Sequence, residues 1–100
     1  MPGESPTERE LDALKVLWRR GEATVRDVYD ELRKETDSLA YTTVLSLLQV
    51  MHQKGMVAHR REGKAHVYRA VIERKSTFRR LADRFLDRVF DGALDEYLVH

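Results

Sequence analysis

Three short segments with helical apolar spacing, followed by two strand-like runs, constrain the fold of this chain most strongly. Thr7 and Glu10 have the spacing of a capping box at the start of the first segment, and Gly21 is a natural end for it. Thr24 to Asp27 form a second signal for a helix start. Apolar residues at intervals of three and four recur between Val25 and Leu32 and again between Val44 and Met51. The first half of the chain is therefore predicted to form three helices, the third beginning near Tyr41.

The pattern changes after the third segment. Two short runs, Met56–Arg60 and His66–Ala70, flank a five-residue link that contains glycine, which predicts a β-hairpin. An apolar stripe from about Glu73 to Asp91 predicts a fourth helix, and a further short helix is expected after it. This order is typical of a mainly α fold with a small β-hairpin wing, the winged helix-turn-helix. We expect that domain in residues 1–71 and a C-terminal helical segment in residues 72–100. The alternative is a small α+β domain with no role in nucleic-acid binding.

Several classes of function are not supported by the composition. The chain has no cysteine, which excludes a disulfide framework and a thiolate metal site. Its apolar runs are far shorter than the roughly 18 residues of a membrane helix, and its first residues do not resemble a signal peptide. Glycine-rich phosphate loops and nucleophile motifs are missing too. We therefore expect a cytoplasmic, non-membrane protein that is not an enzyme and needs no cofactor.

The histidines do not predict a metal site. Of the four in the chain, only His59 and His66 are expected to approach each other, across the hairpin, and no third ligand is apparent. Bonding of these side chains to the backbone or to phosphate is favoured instead.

The distribution of charge points to a polyanion as the partner. The net charge is only +1, but residues 54–80 carry nine Lys or Arg and two acidic residues, while residues 41–53 carry no Lys, Arg, Asp or Glu. Positive charge gathered in one stretch favours a polyanion-binding face over a generally adhesive surface. A solvated charged surface without a partner is the alternative.

The third helix has the side chains that a DNA groove requires. Opposite its apolar face lie Thr42, Ser46, Gln49 and Gln53, with Thr43 beside them. Hydroxyls and amides can bond to base edges, whereas a carboxylate would repel phosphates, and none occurs from Ser38 to Arg61. The hairpin supplies long cations that are expected to contact the DNA backbone, with three near its tip and two near its base. They are Arg60, Arg61 and Lys64 at the tip, and Lys54 and Arg69 at the base.

The last third of the chain holds more apolar surface than a small domain can easily bury. A second copy of the same helix would bury it through a two-fold contact, so we predict a homodimer. The expected interface residues are Phe78, Leu81, Phe85, Leu86, Val89, Phe90, Leu94, Tyr97 and Leu98. The alternative is that the helix folds back onto its own domain.

Taken in order, several motifs resemble the penicillinase-repressor family of bacterial winged-helix regulators. They are ELDALKVLW at residues 10–18, ATVRDV at 23–28, LAYTTV at 39–44, KGMV at 54–57 and REGKAHVY at 61–68. The resemblance implies a dimeric repressor that binds palindromic operators of the TACA…TGTA kind. It adds Tyr41 to Thr42, Thr43 and Ser46 as groove-facing residues, and it makes residues 61–64 the wing.

The same resemblance implies a mode of release. In the antibiotic-responsive members, a membrane sensor protease triggers cleavage of the repressor, and residues 97–100 align just before that scissile bond. Control of antibiotic-response genes is therefore one expectation. The rival hypothesis is a winged-helix protein-interaction module whose third helix docks another protein without reading DNA sequence.

Overall fold

Capping boxes mark the starts of the first two helices in the computed structural model, which describes residues 5–90. Helix α1 spans Glu8–Arg20, and its N-cap Thr7 exchanges hydrogen bonds of 2.9 and 3.2 Å with Glu10. Helix α2 spans Val25–Arg33, and Thr24 and Asp27 exchange the equivalent pair at 3.0 and 3.1 Å. Each pair satisfies two backbone N–H groups that have no partner inside the helix. Both predicted helix starts are confirmed.

The remaining elements are two further helices and a three-stranded antiparallel sheet. Helix α3 spans Tyr41–Gln53 and helix α4 spans Arg74–Phe90. The strands are β1 (Ala23–Thr24), β2 (Val57–Glu62) and β3 (Ala65–Ala70), in the order β1-β3-β2. This arrangement is the predicted winged helix-turn-helix.

The hairpin prediction was right in kind and wrong in its bounds. Instead of a five-residue link, the strands are joined by Gly63 and Lys64 alone, because Glu62 and Ala65 already pair in the ladder. Gly63 has a φ of +62°, which glycine adopts without the steric cost that other residues meet. Arg61 therefore lies in β2 rather than in the turn.

The core lies between the first three helices and the inner face of the sheet. Its largest fully buried side chains come from all three helices and from β3: Leu14, Leu17, Val28, Val44, Leu48, Met51 and Tyr68. Because Val44, Leu48 and Met51 fall on one side of α3, their burial sets the rotation of that helix and directs its opposite side outwards.

Helix α4 packs on this core only near its beginning. Thr77 is buried, the Phe78 ring lies 5.7 Å from the Trp18 ring, and Trp18 Nε1 donates a 3.0 Å hydrogen bond to the carbonyl of Ile72. The second half of α4 is exposed, with Phe85 at 64%. The described residues therefore leave the large apolar side chains of that half exposed. No helix within residues 5–90 is long and apolar enough to cross a membrane.

Candidate nucleic-acid interface

The outer side of α3 presents a continuous polar surface. All six residues predicted to face the groove are exposed: Tyr41, Thr42, Thr43, Ser46, Gln49 and Gln53. None carries a formal charge, so this surface offers hydroxyl and amide groups without a carboxylate that would repel phosphate. A helix of this width fits the major groove of B-form DNA.

Tyr41 anchors the start of this surface to α2. Its ring meets the ring of Tyr29 edge-on, with 5.5 Å between centroids, and 40% of Tyr41 remains exposed. The guanidinium groups of Arg26 and Arg33 lie 5.8 and 5.7 Å from the centre of the Tyr29 ring. Two cations of α2 therefore lie at the tyrosine that contacts the first residue of α3. The i,i+3 and i,i+4 spacings of Arg26, Tyr29 and Arg33 along α2 bring these cations to the ring. The contact between Tyr29 and Tyr41 instead depends on how α2 packs against α3.

Val50 also belongs to the exposed side of α3, although it was not among the predicted contacts. It is 41% exposed and lies one helical turn after Ser46. Its side chain has no hydrogen-bonding group, so on DNA it can contact only apolar groups such as the methyl of thymine. The prediction of groove-facing residues rests on hydroxyl and amide side chains, and for that reason it does not include Val50.

The predicted backbone-contacting cations differ in their surroundings. Arg61 and Lys64 are exposed, and neither forms an ion pair with a residue in the range 5–90. Arg60 instead donates to Glu22 at 2.9 and 3.3 Å and to Glu62 at 3.3 Å. The hydrogen bonds to Glu22 and Glu62 raise the pKa of Arg60 further above its ordinary value.

Two cations on one face of the hairpin, Arg60 and Arg69, act on the carboxylate of Glu22. The hydrogen bond from Arg60 lowers the pKa of Glu22 more than desolvation raises it, and the charges of Arg60 and Arg69 lower it further. Arg60 and Arg69 thus have a carboxylate beside them, whereas Arg61 points to the other face. This follows from the register, in which Arg60 is opposite Val67 and Arg61 is opposite His66.

Lys54 is directed towards the protein. Its Nζ donates to Oε2 of Glu10 at 2.8 Å, and Glu10 is almost completely buried. Burial would raise the pKa of Glu10, but hydrogen bonds from Lys54 and from Thr7 outweigh it, so the pKa of Glu10 is lowered. Lys54 ties the end of α3 to the start of α1, a role that the sequence did not indicate. Its predicted contact with the DNA backbone stays a prediction.

Three histidines form a row between α3 and the wing, which we call the histidine row. The ring of His59 lies 4.3 Å from the ring of His52 on α3 and 4.4 Å from the ring of His66 on β3. The prediction that only His59 and His66 would approach each other was therefore wrong, since His52 joins them. No group of three His, Asp or Glu in the part of the chain described could hold a metal ion.

The predicted dimer residues divide into three groups. Phe78 and Leu81 are partly covered by the domain itself, and Phe85, Leu86, Val89 and Phe90 are exposed. Leu94, Tyr97 and Leu98 lie outside the described residues.

Comparison with known proteins identifies the family to which this chain is similar. The family model described as "Penicillinase repressor" matches residues 6–100. The chain is 27% identical over 94 residues to the penicillinase repressor of Bacillus licheniformis, covering 94% of this chain and 73% of that protein. It is 38% identical over 86 residues to the transcriptional regulator BlaI of Mycobacterium tuberculosis, covering 84% of this chain and 62% of the relative.

A solved structure of a relative shares the fold. The solution structure of monomeric BlaI from Bacillus licheniformis, in complex with the blaP half-operator, has a TM-score of 0.61 and 26% identity. The match covers 72% of this chain and 87% of that one. With a family match over residues 6–100 and the winged helix-turn-helix architecture, the chain belongs to the penicillinase repressor family.

Proposed function

We propose that this protein is a transcriptional repressor that places α3 in the major groove of operator DNA and its wing on the adjacent phosphates. One observation carries the proposal: the exposed side of α3 has no formal charge, and Arg61 and Lys64 lie exposed beside it in the wing. Uncharged hydrogen-bonding groups suit base edges, and exposed cations suit phosphates. The half-operator complex of the Bacillus licheniformis relative supports this assignment.

A titration of labelled duplexes tests the proposal. Fluorescence anisotropy would be followed on a duplex with a TACA…TGTA palindrome and on a scrambled duplex, at about 50 and about 200 mM salt. We expect tighter binding to the palindrome, and affinity for both duplexes that falls steeply with salt, because each phosphate contact releases counterions. Binding that is indifferent to salt would contradict DNA recognition and favour the protein-interaction module.

We further propose that the operator is bound by a homodimer, with residues 1–71 as the DNA-binding domain and residues 72–100 as the dimerisation segment. The exposed apolar side chains of the second half of α4 support this division. A two-fold dimer also matches the symmetry of a palindromic site, in which each protomer engages one half. The operator sequence of the TACA…TGTA kind belongs to the same proposal.

We propose, on the resemblance alone, that a membrane sensor-protease system triggers release of the repressor from its operator. The repressor itself is proposed to act in the cytoplasm. The expected cleavage region follows residues 97–100, which lie outside the described residues. In a cell, this proposal requires that repression ends when the chain is shortened. Immunoblotting for a shorter product after addition of a β-lactam, together with expression of the regulated gene, would test it.

A further inference from the structure

The histidine row connects the two elements that the proposed function assigns to DNA. His52 is in the last turn of α3, next in sequence to Gln53 and one turn after Gln49. His59 and His66 are on β2 and β3, and the cross-strand pairs His59–Tyr68 and Arg61–His66 place all four side chains on one face of the wing. The row therefore extends from the edge of the groove-facing surface to the exposed Arg61.

The surroundings of the row favour the neutral form of its central imidazole in the free protein. Partial desolvation, together with the positive charge that His52 and His66 acquire on protonation, lowers the pKa of His59. The groups that face it are His52 from α3 and His66 and Tyr68 from β3, and none of these is a carboxylate. Arg61, which is opposite His66 in the register, adds a permanent positive charge on the same face.

A phosphate beside the row would reverse this preference. A nearby negative charge favours the protonated form of an imidazole, and a protonated imidazole donates hydrogen bonds from both nitrogens. The row is accessible to a phosphate, since His52 and His59 are exposed and His66 is half-buried. DNA that contacts Gln49, Gln53 and Arg61 would pass along the same edge of the protein.

We propose that His52, His59 and His66 form an additional phosphate-binding strip of the DNA interface, which takes up protons when DNA binds. This inference rests on the proposed function and extends it from fixed cations to titratable ones. Because the complex holds more protons than the free protein, DNA affinity rises as the pH falls through the window between the bound and free pKa of His59. Each proton taken up changes the affinity by up to about tenfold per pH unit. The strip contacts backbone rather than bases, so the effect is shared by operator and random DNA.

Anisotropy titrations between about pH 8.5 and about pH 6, at fixed ionic strength, test this strip. The parent protein is expected to bind both duplexes at least about threefold more tightly for each pH unit of acidification in the histidine range. The variant H52Q/H59Q/H66Q is expected to lose most of that dependence while retaining its dependence on salt. H100Q is the matched control, because it removes the one other histidine of the chain.

A second measurement separates phosphate binding from a change in folding. NMR titration of the imidazole C–H signals, with and without the scrambled duplex, is expected to show a higher pKa for His59 in the complex. Circular dichroism of each variant across the same pH range checks that the fold is retained. If the parent binds DNA with a steep salt dependence but no pH dependence, or if the triple variant keeps the full pH dependence, the strip is wrong and the proposed function stands. If the parent binds no DNA at any pH, the proposed function itself fails.

Discussion

At the scale of single residues, neighbouring cations of the wing differ in whether a carboxylate lies beside them. Arg60 and Arg61 are adjacent, yet the alternation of a β-strand sends them to opposite faces of the hairpin. Arg60 thereby meets Glu22, which precedes β1, whereas Arg61 meets no carboxylate in residues 5–90. Charge counting along the chain finds the basic stretch correctly. It cannot find partners that are 38 residues apart, such as Arg60 and Glu22.

This difference predicts unequal effects on DNA binding. Replacing Arg61 or Lys64 with Ala is expected to weaken operator and random DNA alike and to reduce the salt slope by about one for each phosphate that the variant no longer neutralises. Arg60→Ala is the matched control from the same strand and is expected to change the slope less, because its guanidinium is already held by Glu22 and Glu62. Equal losses of affinity for Arg60→Ala and Arg61→Ala in salt-dependent anisotropy would contradict this distinction.

Base reading is expected to be separable from phosphate binding on α3. Thr43→Ala or Ser46→Ala should lower the preference for operator over random duplex by about 1–3 kcal/mol where the hydroxyl contacts a base. Affinity for random DNA should change little, because the scrambled duplex offers no specific partner. A competition assay with both duplexes measures the preference directly. Equal losses of affinity on both duplexes would show that the reading surface of α3 is assigned wrongly.

The buried carboxylate of Glu10 is expected to stabilise the fold in a pH-dependent way. Its folded pKa is below the ordinary 4.5, so its contribution is fully present above pH 4.5 and is lost as the pH falls through the folded pKa. At neutral pH, Glu10→Gln should lower the free energy of unfolding by about 1–2 kcal/mol, less than for a fully buried pair because Lys54 reaches water. Urea unfolding at about pH 7 and about pH 3 measures this difference, which should shrink in acid.

The matched control for Glu10 is an exposed carboxylate on the same helix. Asp12 forms a 3.8 Å ion pair with Arg9, and both side chains are 43% exposed. Asp12→Asn is therefore expected to change the free energy of unfolding by less than about 0.5 kcal/mol. A loss of stability for Asp12→Asn as large as that for Glu10→Gln would mean that the ion pair with Lys54 is not what stabilises the start of α1.

At the scale of elements, local signals were sufficient for helices and insufficient for strand ends. The boxes at Thr7 and Thr24 predict helix starts because all their hydrogen bonds lie within four residues. Strand β1 has only two residues, and it exists because Ala23 and Thr24 pair with Tyr68 and Val67. No local alternation can reveal so short a strand. The same limit applies to the histidine row, since His52 meets His59 only through the packing of α3 against β2.

The two-residue turn of the wing provides a test at this scale. Gly63→Val places a β-branched residue at a φ of +62° and is expected to destabilise the hairpin by about 1–2 kcal/mol. Gly63→Asn is the control, because asparagine tolerates this conformation far better, and neither side chain meets an atom within 4 Å at its Cβ. Hydrogen exchange of β2 and β3 amides would show faster opening in the valine variant alone. Similar exchange in both variants would argue against backbone strain as the cause.

The shape of the whole molecule depends on α4, which begins on the core and continues beyond it. The contact between Trp18 and Phe78 holds the first turns, while the apolar side chains from Phe85 to Phe90 remain 44–64% exposed. Periodicity predicts such a stripe equally well for a helix that folds back and for one that extends. What distinguishes the two cases is whether the three-helix core has surface left to receive it, which is a property of the assembled fold.

Phe85→Asp is expected to abolish the proposed dimer and leave the winged domain intact. Phe85 is 64% exposed in the protomer, so a charge there costs little in the monomer, but in a two-fold contact the same charge would be buried in both subunits. Ser76→Asp is the matched control, because it adds the same charge nine residues earlier, on the opposite side of α4.

Sedimentation and thermal melting at tens of micromolar would compare the two variants with the parent. Phe85→Asp should sediment as a monomer, melt cooperatively and bind a half-site duplex like the parent, since each winged domain is unchanged. Its affinity for the full palindrome should fall strongly, because two half-sites are no longer engaged together. A parent that is already monomeric, or a Phe85→Asp variant that loses its fold, would show that this stripe does not carry the association. Ser76→Asp should remain dimeric and keep its affinity for the palindrome.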